Sequence, residues 1–338
     1  MGLALSKARR KAVQSINFHR TQVADAGLLK RYEGNPVLTA ADFPRPVNSV
    51  FNAGAARYGK DYLLLSRVED LSGSSLLWVA RSADGLSFVQ HPAPALVPSS
   101  QAPYDAVEES GIEDPRVTCL EGSYYITYVG FSRYGAVPLL ARTEDFEHYE
   151  RVSILGLPDN KDVVLFPERI GGKYAKLDRP TSMLSAGADV WISFSTDLVH
   201  WGGFRPVMRP RPRKWDGAKI GPGAPPIRTP EGWLLIYHGV RSTSAGALYR
   251  LGAVLLDLEE PWKVIGRAPE AILSPQAPED FQGNVPNVVF TCGAVAEQDG
   301  TLKVYYGAAD QVVCLATAQL GDIVALCRAG SSGHAQDG

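Results

Sequence analysis

The chain has 338 residues and a formal net charge of −2, from 34 Lys and Arg against 36 Asp and Glu. This balance excludes a general attraction to nucleic acid or to an anionic membrane, so an anion site has to be a local cluster of cations. A hydrophobic content of 45% excludes a disordered chain, and the length suits two average domains or one large all-β domain. The 33 glycines and 24 prolines, about 17% of the residues against ~12% on average, predict many turns.

Residues 1–31 are predicted to form a helical N-terminal arm. Four cationic side chains lie between residues 7 and 11, and no proline interrupts the segment before Pro36. We expect this basic helix to pack on the main domain or on another subunit, which makes a homo-oligomer a hypothesis. The opening residues also fit the N-myristoylation pattern at Gly2 and Ser6, which only eukaryotic cells read.

A turn followed by a strand recurs five times, first at RYGKDYLLLSR (57–67) and last at EQDGTLKVYYGAAD (297–310). Three repeats continue with the pattern S/T-x-D-x-x-x-aromatic, which predicts a tight turn between a third strand and an outer strand. Five units of about 60 residues, each long enough for four strands, predict an all-β fold, a five-bladed β-propeller over residues 32–328. A β-sandwich is the alternative. No long helix is predicted after residue 31, and residues 329–338 are predicted to be a disordered tail.

The sequence contains none of the motifs typical of nucleotide-binding loops, zinc proteases or serine hydrolases. Four cysteines, Cys119, Cys292, Cys314 and Cys327, lack CxxC spacing, and no apolar leader opens the chain. We therefore expect neither a zinc site nor a disulfide framework and place the protein in a reducing cytoplasm. No segment approaches the ~20 apolar residues of a membrane span.

The segment GIEDPR (111–116) places two adjacent acids and a proline before a strand. Acids are poor strand formers, so their presence there points to a special role. Side chains alternate along a strand, which predicts that only one of Glu113 and Asp114 faces the central channel of the propeller. The alternative is structural, with Asp114 capping the turn and Arg116 paired with Glu113.

Four motifs follow one another along the chain: GIEDPR (111–116), NKDVVLFPERIGGKYAKLDRP (160–180), KIGPGAPPI (219–227) and WLLIYHGV (233–240). Taken together and in this order, they resemble glycoside hydrolase family 130. The resemblance extends from about residue 35 to residue 310 of the chain. It implies a five-bladed propeller and the inverting cleavage of β-mannosides, by phosphate in most members and by water in others.

The resemblance also implies roles for individual residues. Asp114 matches the general acid, while Asn52, Arg67 and Asp310 match positions that hold the sugar. Ala53 departs from the proline that often follows the Asn of that motif, which leaves the local backbone shape open.

A second set of residues matches the positions at which the phosphorylases of that family hold phosphate. The set is Lys161, Arg179, Lys219, His238 and Tyr249. Phosphorolysis needs only an acid, because phosphate is already an anionic nucleophile, but it needs a dry pocket of cations to hold the phosphate. Inverting hydrolysis needs a second carboxylate as base, roughly 6.5–9.5 Å from the acid. Taken singly, three of these residues also have a structural explanation. Arg179 suits a loop ion pair, Lys219 a solvated charge and His238 a histidine of the core.

Aromatic residues in the loops between repeats are candidates for packing against a second sugar. They are Tyr104, Tyr134, Trp215 and Phe281.

We therefore expect an inverting phosphorylase that uses inorganic phosphate as co-substrate on a β-mannoside, without a metal or an organic cofactor. No partnership with nucleic acid or membrane is expected. An inverting β-mannosidase on the same fold, a non-catalytic sugar-binding propeller and an arabinanase- or invertase-like hydrolase are the alternatives. The acceptor sugar and the linkage depend on loops that the sequence does not resolve.

Overall fold

The computed structural model describes residues 25–181 and 188–331, and within them five antiparallel sheets form five blades. The prediction of a five-bladed propeller is confirmed. The described chain begins with a short strand, β1 (Lys30–Arg31), which belongs to the last blade.

The first three blades each contain four strands in sequential order. Blade 1 consists of β2 (Ser49–Tyr58), β3 (Asp61–Glu69), β4 (Ser75–Ser82) and β5 (Val89–Gln90). Blade 2 consists of β6 (Ile112–Leu120), β7 (Ser123–Ser132), β8 (Gly135–Thr143) and β9 (Glu150–Ile154). Blade 3 consists of β10 (Asn160–Leu165), β11 (Tyr174–Pro180), β12 (Val190–Ser195) and β13 (Gly202–Met208).

The last two blades complete the ring. Blade 4 consists of β14 (Lys219–Pro222), β15 (Ile227–Thr229), β16 (Gly232–Thr243), β17 (Gly246–Leu256) and β18 (Val264–Arg267). Blade 5 consists of β19 (Val289–Ala296), β20 (Thr301–Ala308), β21 (Val312–Gln319) and β1. Two helices, α1 (Asp105–Glu108) and α2 (Leu320–Ser331), and two short 3-10 turns, Ala40–Asp42 and Pro278–Asp280, lie outside the sheets.

The turn between the third and fourth strands of blades 1, 2 and 3 has one shared construction. In blade 2, the Oδ1 of Asp145 accepts hydrogen bonds from the backbone N–H groups of Glu147 and His148, both at 2.8 Å. The hydroxyl of Thr143 accepts from the N–H of Phe146 at 2.9 Å. The S/T-x-D pattern thus forms the tight turn that the sequence predicts, because both side chains satisfy backbone donors of the turn.

Each pair of neighbouring blades is held together by one cluster of buried apolar side chains. Trp78 and Trp233 are among the largest fully buried residues, in the clusters between blades 5 and 1 and between blades 3 and 4 respectively. The first strands of blades 1 to 4 contact one another in succession, and the first strand of blade 5 contacts that of blade 1. Polar residues on those strands are therefore brought towards a common centre.

The first strands of blades 1, 2 and 3 share an irregularity that the sequence did not predict. In each, the pairing register shifts, between Phe51 and Gly54, between Glu113 and Arg116, and between Lys161 and Val164. One non-glycine residue within each shift has a positive φ: 48° at Asn52, 51° at Asp114 and 60° at Asp162. Bulges of this kind redirect side chains and are frequent near functional sites.

The prediction of a helical arm over residues 1–31 is wrong for its last part. Residues 1–24 lie outside the described residues, but Lys30 and Arg31 form a strand that pairs with Thr317 and Ala316 of β21. An N-terminal strand therefore completes the C-terminal blade and closes the ring.

The prediction for the C-terminus also needs correction. Residues 320–331 form helix α2, so the first three residues of the expected tail are helical rather than disordered. Ile323, Val324 and Cys327 of this helix enter the apolar cluster between blades 4 and 5, and that burial stabilises the helix. In the described ranges, neither helix has the length and apolar surface that a membrane span requires.

We predict that Arg31→Ala weakens ring closure. The Nη2 of Arg31 lies 2.7 Å from the carboxylate of Asp280, which is completely buried. Burial raises the pKa of Asp280, and the charge of Arg31 opposes that effect. Removing the cation should lower the free energy of unfolding by about 2–4 kcal/mol, somewhat below the full cost for a buried pair because Arg31 is partly exposed.

Chemical denaturation would measure this loss. Lys30→Ala is the matched control, because Lys30 is exposed on the same two-residue strand and its removal should cost less than ~0.5 kcal/mol. Equal stabilities for the two variants would contradict the importance of the pair.

Candidate active site

A cavity of about 260 Å³ lies where the first strands of the blades converge. All nine residues predicted from the sequence as site residues line it: Asn52, Arg67, Asp114, Lys161, Arg179, Lys219, His238, Tyr249 and Asp310. Larger surface grooves, of about 480 and 530 Å³ on the outer parts of blades 3 and 4 and of about 640 Å³ beside blades 1 and 5, lie away from the axis. We place the site in the smaller cavity because it collects the buried charges of the inner strands.

Asp114 is held on one side of the cavity by donors from blade 1. The side-chain amide of Asn52 donates to its Oδ1 at 2.9 Å, and Arg67 lies 3.4 Å from the same oxygen. The guanidinium of Arg67 also lies 3.0 Å from Glu113, whose other oxygen is 3.4 Å from Lys161.

Asp114 lines the cavity and Glu113 does not, as expected if only one of the two adjacent acids faces the channel. Both carboxylates nevertheless contact the guanidinium of Arg67, beside the bulge at Asp114. The structural alternative is wrong in its pairing, since Arg116 pairs with Asp162 and not with Glu113.

Electrostatics keep Asp114 ionised in the free protein. Burial alone would raise the pKa of its carboxyl. The charges of Arg67 and Lys161 outweigh burial, and the pKa of Asp114 lies below its ordinary value. A proton reaches this group only when the local field changes.

Asp310 has the opposite tendency. It follows β20 in a turn where Ala309 and Asp310 both have positive φ, 49° and 51°. Burial and the neighbouring charge of Asp114 raise the pKa of Asp310 to about 6. The cavity therefore contains two carboxyl groups with strongly different proton affinities.

The other side of the cavity is organised by Asp162, which is almost completely buried. Its Oδ2 accepts from the Nε of Arg179 at 2.8 Å, and its Oδ1 accepts from Arg116 at 3.0 Å. Burial would raise the pKa of Asp162, but the charges of Arg179 and Arg116 lower it below the usual range. Asp162 thus fixes Arg179 in place as a permanently ionised partner.

His238 lies opposite Gly221 in the β14–β16 pairing, with its Nε2 at 3.6 Å from Asp162. Burial lowers the pKa of His238 to about 3, and the charge of Arg179 adds to this effect against the attraction of Asp162. The imidazole is therefore neutral at physiological pH. Its buried Nδ1 has no hydrogen-bond partner among the described residues.

Lys219 and Tyr249 complete this side. The Nζ of Lys219 lies 5.1 Å from the centre of the Tyr249 ring, and that ring stacks on His238 with the centres 6.0 Å apart. Lys161 and Arg179 are cross-strand neighbours on β10 and β11. Lys161 thus stands between the two sides, because its ammonium group is directed to Glu113.

Arg116 and Asp162 are functional-site residues that sequence reasoning did not assign. Arg116 is 1% exposed and donates to the backbone carbonyls of Asp114, Pro222 and Gly223 as well as to Asp162. The sequence signal that could have identified Asp162 was its position. Asp162 of NKD and Asp114 of EDPR occupy corresponding places on the first strands of successive blades.

Cations outnumber carboxylates around the cavity. The cations are Arg67, Arg116, Lys161, Arg179 and Lys219, and the carboxylates are Glu113, Asp114, Asp162 and Asp310. An anion entering beside Arg179 and Lys219 therefore meets a favourable field. In the described part of the chain, no three His, Cys, Asp or Glu side chains are grouped so that they could hold a metal ion.

The four aromatic residues predicted to lie in loops differ in their burial. Trp215 is buried and stacks on Tyr237, with ring centres 5.8 Å apart, so it belongs to the core and does not face a sugar. Tyr104 packs at the edge of the cluster between blades 1 and 2. Tyr134 is 51% exposed, and Phe281 is half-buried.

Comparison with known proteins places this arrangement in a family. Residues 20–329 match a glycoside hydrolase family, number 130, described as beta-1,4-mannooligosaccharide phosphorylase. The chain is 38% identical to a 1,2-beta-oligomannan phosphorylase of Thermoanaerobacter sp., over 87% of this chain and 98% of the relative. It is 36% identical to a beta-1,4-mannooligosaccharide phosphorylase of Ruminococcus albus, over 89% and 91%.

A solved structure supports the same family assignment. The beta-1,2-mannobiose phosphorylase of Listeria innocua, in complex with beta-1,2-mannobiose, superposes with a TM-score of 0.82 at 32% identity, covering 89% of this chain and 99% of that one.

We predict that Asp310→Asn changes how stability depends on pH. With a folded pKa of about 6 against an ordinary pKa of 3.8, wild-type Asp310 is protonated in the folded state and ionised in the unfolded state between these pH values. Wild-type stability is therefore lost as pH rises from about 4 to about 6. The variant lacks this loss, so its stability relative to the wild type should increase over that range by at most about 3 kcal/mol.

Urea unfolding of both proteins at several pH values between 4 and 7 would measure the difference. A constant difference across this range would show that Asp310 has an ordinary pKa.

Proposed function

The chain belongs to glycoside hydrolase family 130, and from this membership and its cavity we propose that it is an inverting phosphorylase of β-mannosides. The reaction uses inorganic phosphate and yields α-mannose 1-phosphate and a shortened acceptor. The observation that carries the proposal is that one cavity contains both an acid, Asp114, and a separate group of phosphate-binding candidates, Arg179, Lys219, His238 and Tyr249.

The size of the cavity supports a site that holds a sugar beside the acid and a phosphate beside the cations. Sites for drug-sized ligands have roughly 300–1,000 Å³, whereas this cavity has about 260 Å³. It suits one sugar ring together with one phosphate. Asn52, Arg67 and Asp310 are placed to hold that sugar beside Asp114.

In the proposed reaction a phosphate oxygen attacks the anomeric carbon from the side of Arg179 and Lys219. The bond between that carbon and the acceptor oxygen breaks, and its electron pair stays on the acceptor. Asp114 supplies the proton to that oxygen, directly or through a sugar hydroxyl. Attack opposite to the leaving group converts the β-configuration into α.

The proton on Asp114 requires a change from the free state. Arg67 and Lys161 keep the pKa of Asp114 low in the free protein. A phosphate dianion bound beside Arg179 and Lys219 adds negative charge to the same cavity, which raises the pKa of Asp114, so proton uptake accompanies phosphate binding. The cations thus have two effects, since they hold the nucleophile and control the charge of the acid.

Hydrolysis by an inverting β-mannosidase is less well supported. It needs a free carboxylate as base; Asp162 is occupied by Arg116 and Arg179, and Asp310 is already proposed as a contact of the sugar. The intact group of cations has no obvious use in such a reaction, because water needs no cationic pocket.

Further expectations follow from the same proposal. Inorganic phosphate is the co-substrate, and we propose that no metal or organic cofactor takes part. A cytoplasmic location is proposed from the four cysteines, all of which are free thiols. A homo-oligomer is proposed from the N-terminal arm, most of which lies outside the described residues.

Phosphate dependence tests the function directly. The protein is incubated with β-1,2-mannobiose or β-1,4-mannobiose, with and without inorganic phosphate, and mannose 1-phosphate is assayed. We expect sugar phosphate only when phosphate is present. Equal release of free mannose in both cases, without sugar phosphate, would establish a hydrolase instead.

Lys219→Ala should selectively weaken phosphate binding. Lys219 has no carboxylate partner among the described ion pairs, whereas loss of Arg179 would also expose Asp162, so Lys219 gives the cleaner experiment. A charge-assisted contact is worth roughly 1.5–3 kcal/mol, so the KM for phosphate should rise about ten- to a hundredfold. The KM for the mannobiose should stay within about twofold.

Lys173→Ala is the matched control, since Lys173 is exposed on the turn before β11 and outside the cavity. Equal increases in both KM values for Lys219→Ala would mean that Lys219 shapes the whole cavity.

Asp114→Asn should abolish turnover while preserving the fold. The amide keeps the oxygen that accepts from Asn52 and Arg67 but has no transferable proton. General acid catalysis contributes typically 10²–10⁴ in rate, so kcat should fall at least about a hundredfold. Calorimetry with the mannobiose would check that sugar binding persists. A variant that retains more than about a tenth of the activity would reject Asp114 as the acid.

A further inference from the structure

The cavity leaves the acceptor sugar without an enclosed site. This inference rests on the proposed function, in which about 260 Å³ contains one mannosyl ring and one phosphate. The acceptor oxygen must lie within reach of Asp114 when its bond breaks. The acceptor ring therefore lies outside the cavity, on the part of its rim that adjoins the acid.

A continuous series of charged contacts marks that part of the rim. Arg67 contacts both Asp114 and Glu113, and Glu113 contacts Lys161 at 3.4 Å. Lys161 is about one third exposed, so the series leads from the buried acid to solvent.

Phe131 stands at the outer end of this series. Its ring centre is 5.7 Å from the Nζ of Lys161, and the residue is 42% exposed although it is apolar. Its backbone is firmly held, because its N–H donates to the carbonyl of Gly111 and its carbonyl accepts from Ser110, both at 2.9 Å. These contacts connect Phe131 to the segment that leads directly into Glu113.

The other aromatic candidates fit this position less well. Trp215 is enclosed in the core, Tyr104 packs against the cluster between blades 1 and 2, and Phe281 is half-buried. Tyr134 contacts Arg133, whose guanidinium lies 5.0 Å from its ring centre. Phe131 combines an exposed ring, a fixed backbone and contact with a residue that lines the cavity.

We propose that Phe131 is the platform on which the acceptor sugar packs, and that it determines acceptor affinity. The C–H face of a pyranose packs on an aromatic ring, while the hydroxyl groups at its edge find polar partners. Lys161 and Glu113 provide such partners next to the ring. Phe131 does not line the cavity in which the proposal places the phosphate and the transferred mannosyl group.

Synthesis from α-mannose 1-phosphate tests the proposal, because the acceptor is then a separate substrate. D-mannose, D-glucose and N-acetyl-D-glucosamine are assayed with the wild type, and the best acceptor is used for the variants. Phe131→Ala should raise the KM for this acceptor about three- to tenfold, the range that a single ring contact supplies. The KM for mannose 1-phosphate should stay within about twofold.

Three further variants test whether the effect depends on the aromatic ring and on its position. Phe131→Leu keeps an apolar side chain without a ring and should show the same selective increase even if Phe131→Ala folds poorly. Phe131→Tyr keeps the ring and should resemble the wild type. Phe204→Ala is the matched control, because Phe204 is 60% exposed on β13 and does not line the cavity.

The outcomes separate this inference from the proposed function. A wild type that neither makes nor cleaves a mannoside with phosphate would reject the function itself. An active wild type whose acceptor KM is unchanged in Phe131→Ala and Phe131→Leu would overturn only the role of Phe131. Equal increases in the KM for acceptor and for mannose 1-phosphate would also overturn it.

Discussion

The buried pair of Arg116 and Asp162 is the contact on which the rest of the site depends. Arg116 is almost inaccessible and joins three blades, through Asp114 on its own blade, Asp162 on blade 3 and two carbonyls of blade 4. A buried guanidinium without its carboxylate would cost roughly 3–5 kcal/mol, so the blades are held in the one arrangement that satisfies it. The same side chain fixes the backbone of the proposed acid, and its partner fixes Arg179.

This contact requires close backbone approaches. A Cβ atom on Gly221 would lie 2.3 Å from the Oδ2 of Asp162, so only glycine leaves room for the carboxylate at that point. Gly307 has the same effect on the opposite side, where a Cβ would lie 2.3 Å from the Oδ1 of Asn52. The positions of the acid and of the phosphate-binding candidates are thus set by backbone packing as much as by charge.

The electrostatic division of the cavity follows from these positions. Asp114 and Asp162 are both ionised and each is paired with arginine, whereas Asp310 is less well compensated and has a raised pKa. His238 stays neutral because burial and Arg179 disfavour its charged form. Positive charge is consequently concentrated at Arg179 and Lys219, where the proposal places phosphate, and the exposed rim near Lys161 is left for the acceptor.

Local patterns in the chain were enough to predict the five blades, the S/T-x-D turns and the nine residues that line the cavity, because turn chemistry repeats and the motifs resemble a known family. They were insufficient where distant segments decide the result. Alternation along β6 is interrupted at Asp114 by a bulge, next to which Arg116 contacts Asp162 of blade 3 and a carbonyl of blade 4. Lys30 and Arg31 form a strand because they pair with the edge of β21. Trp215 is buried and not exposed in a loop, because it stacks on Tyr237. The partners of Arg116 and the exposure of Phe131 arise only when the ring closes, since they depend on residues far apart in the chain that a local pattern does not connect.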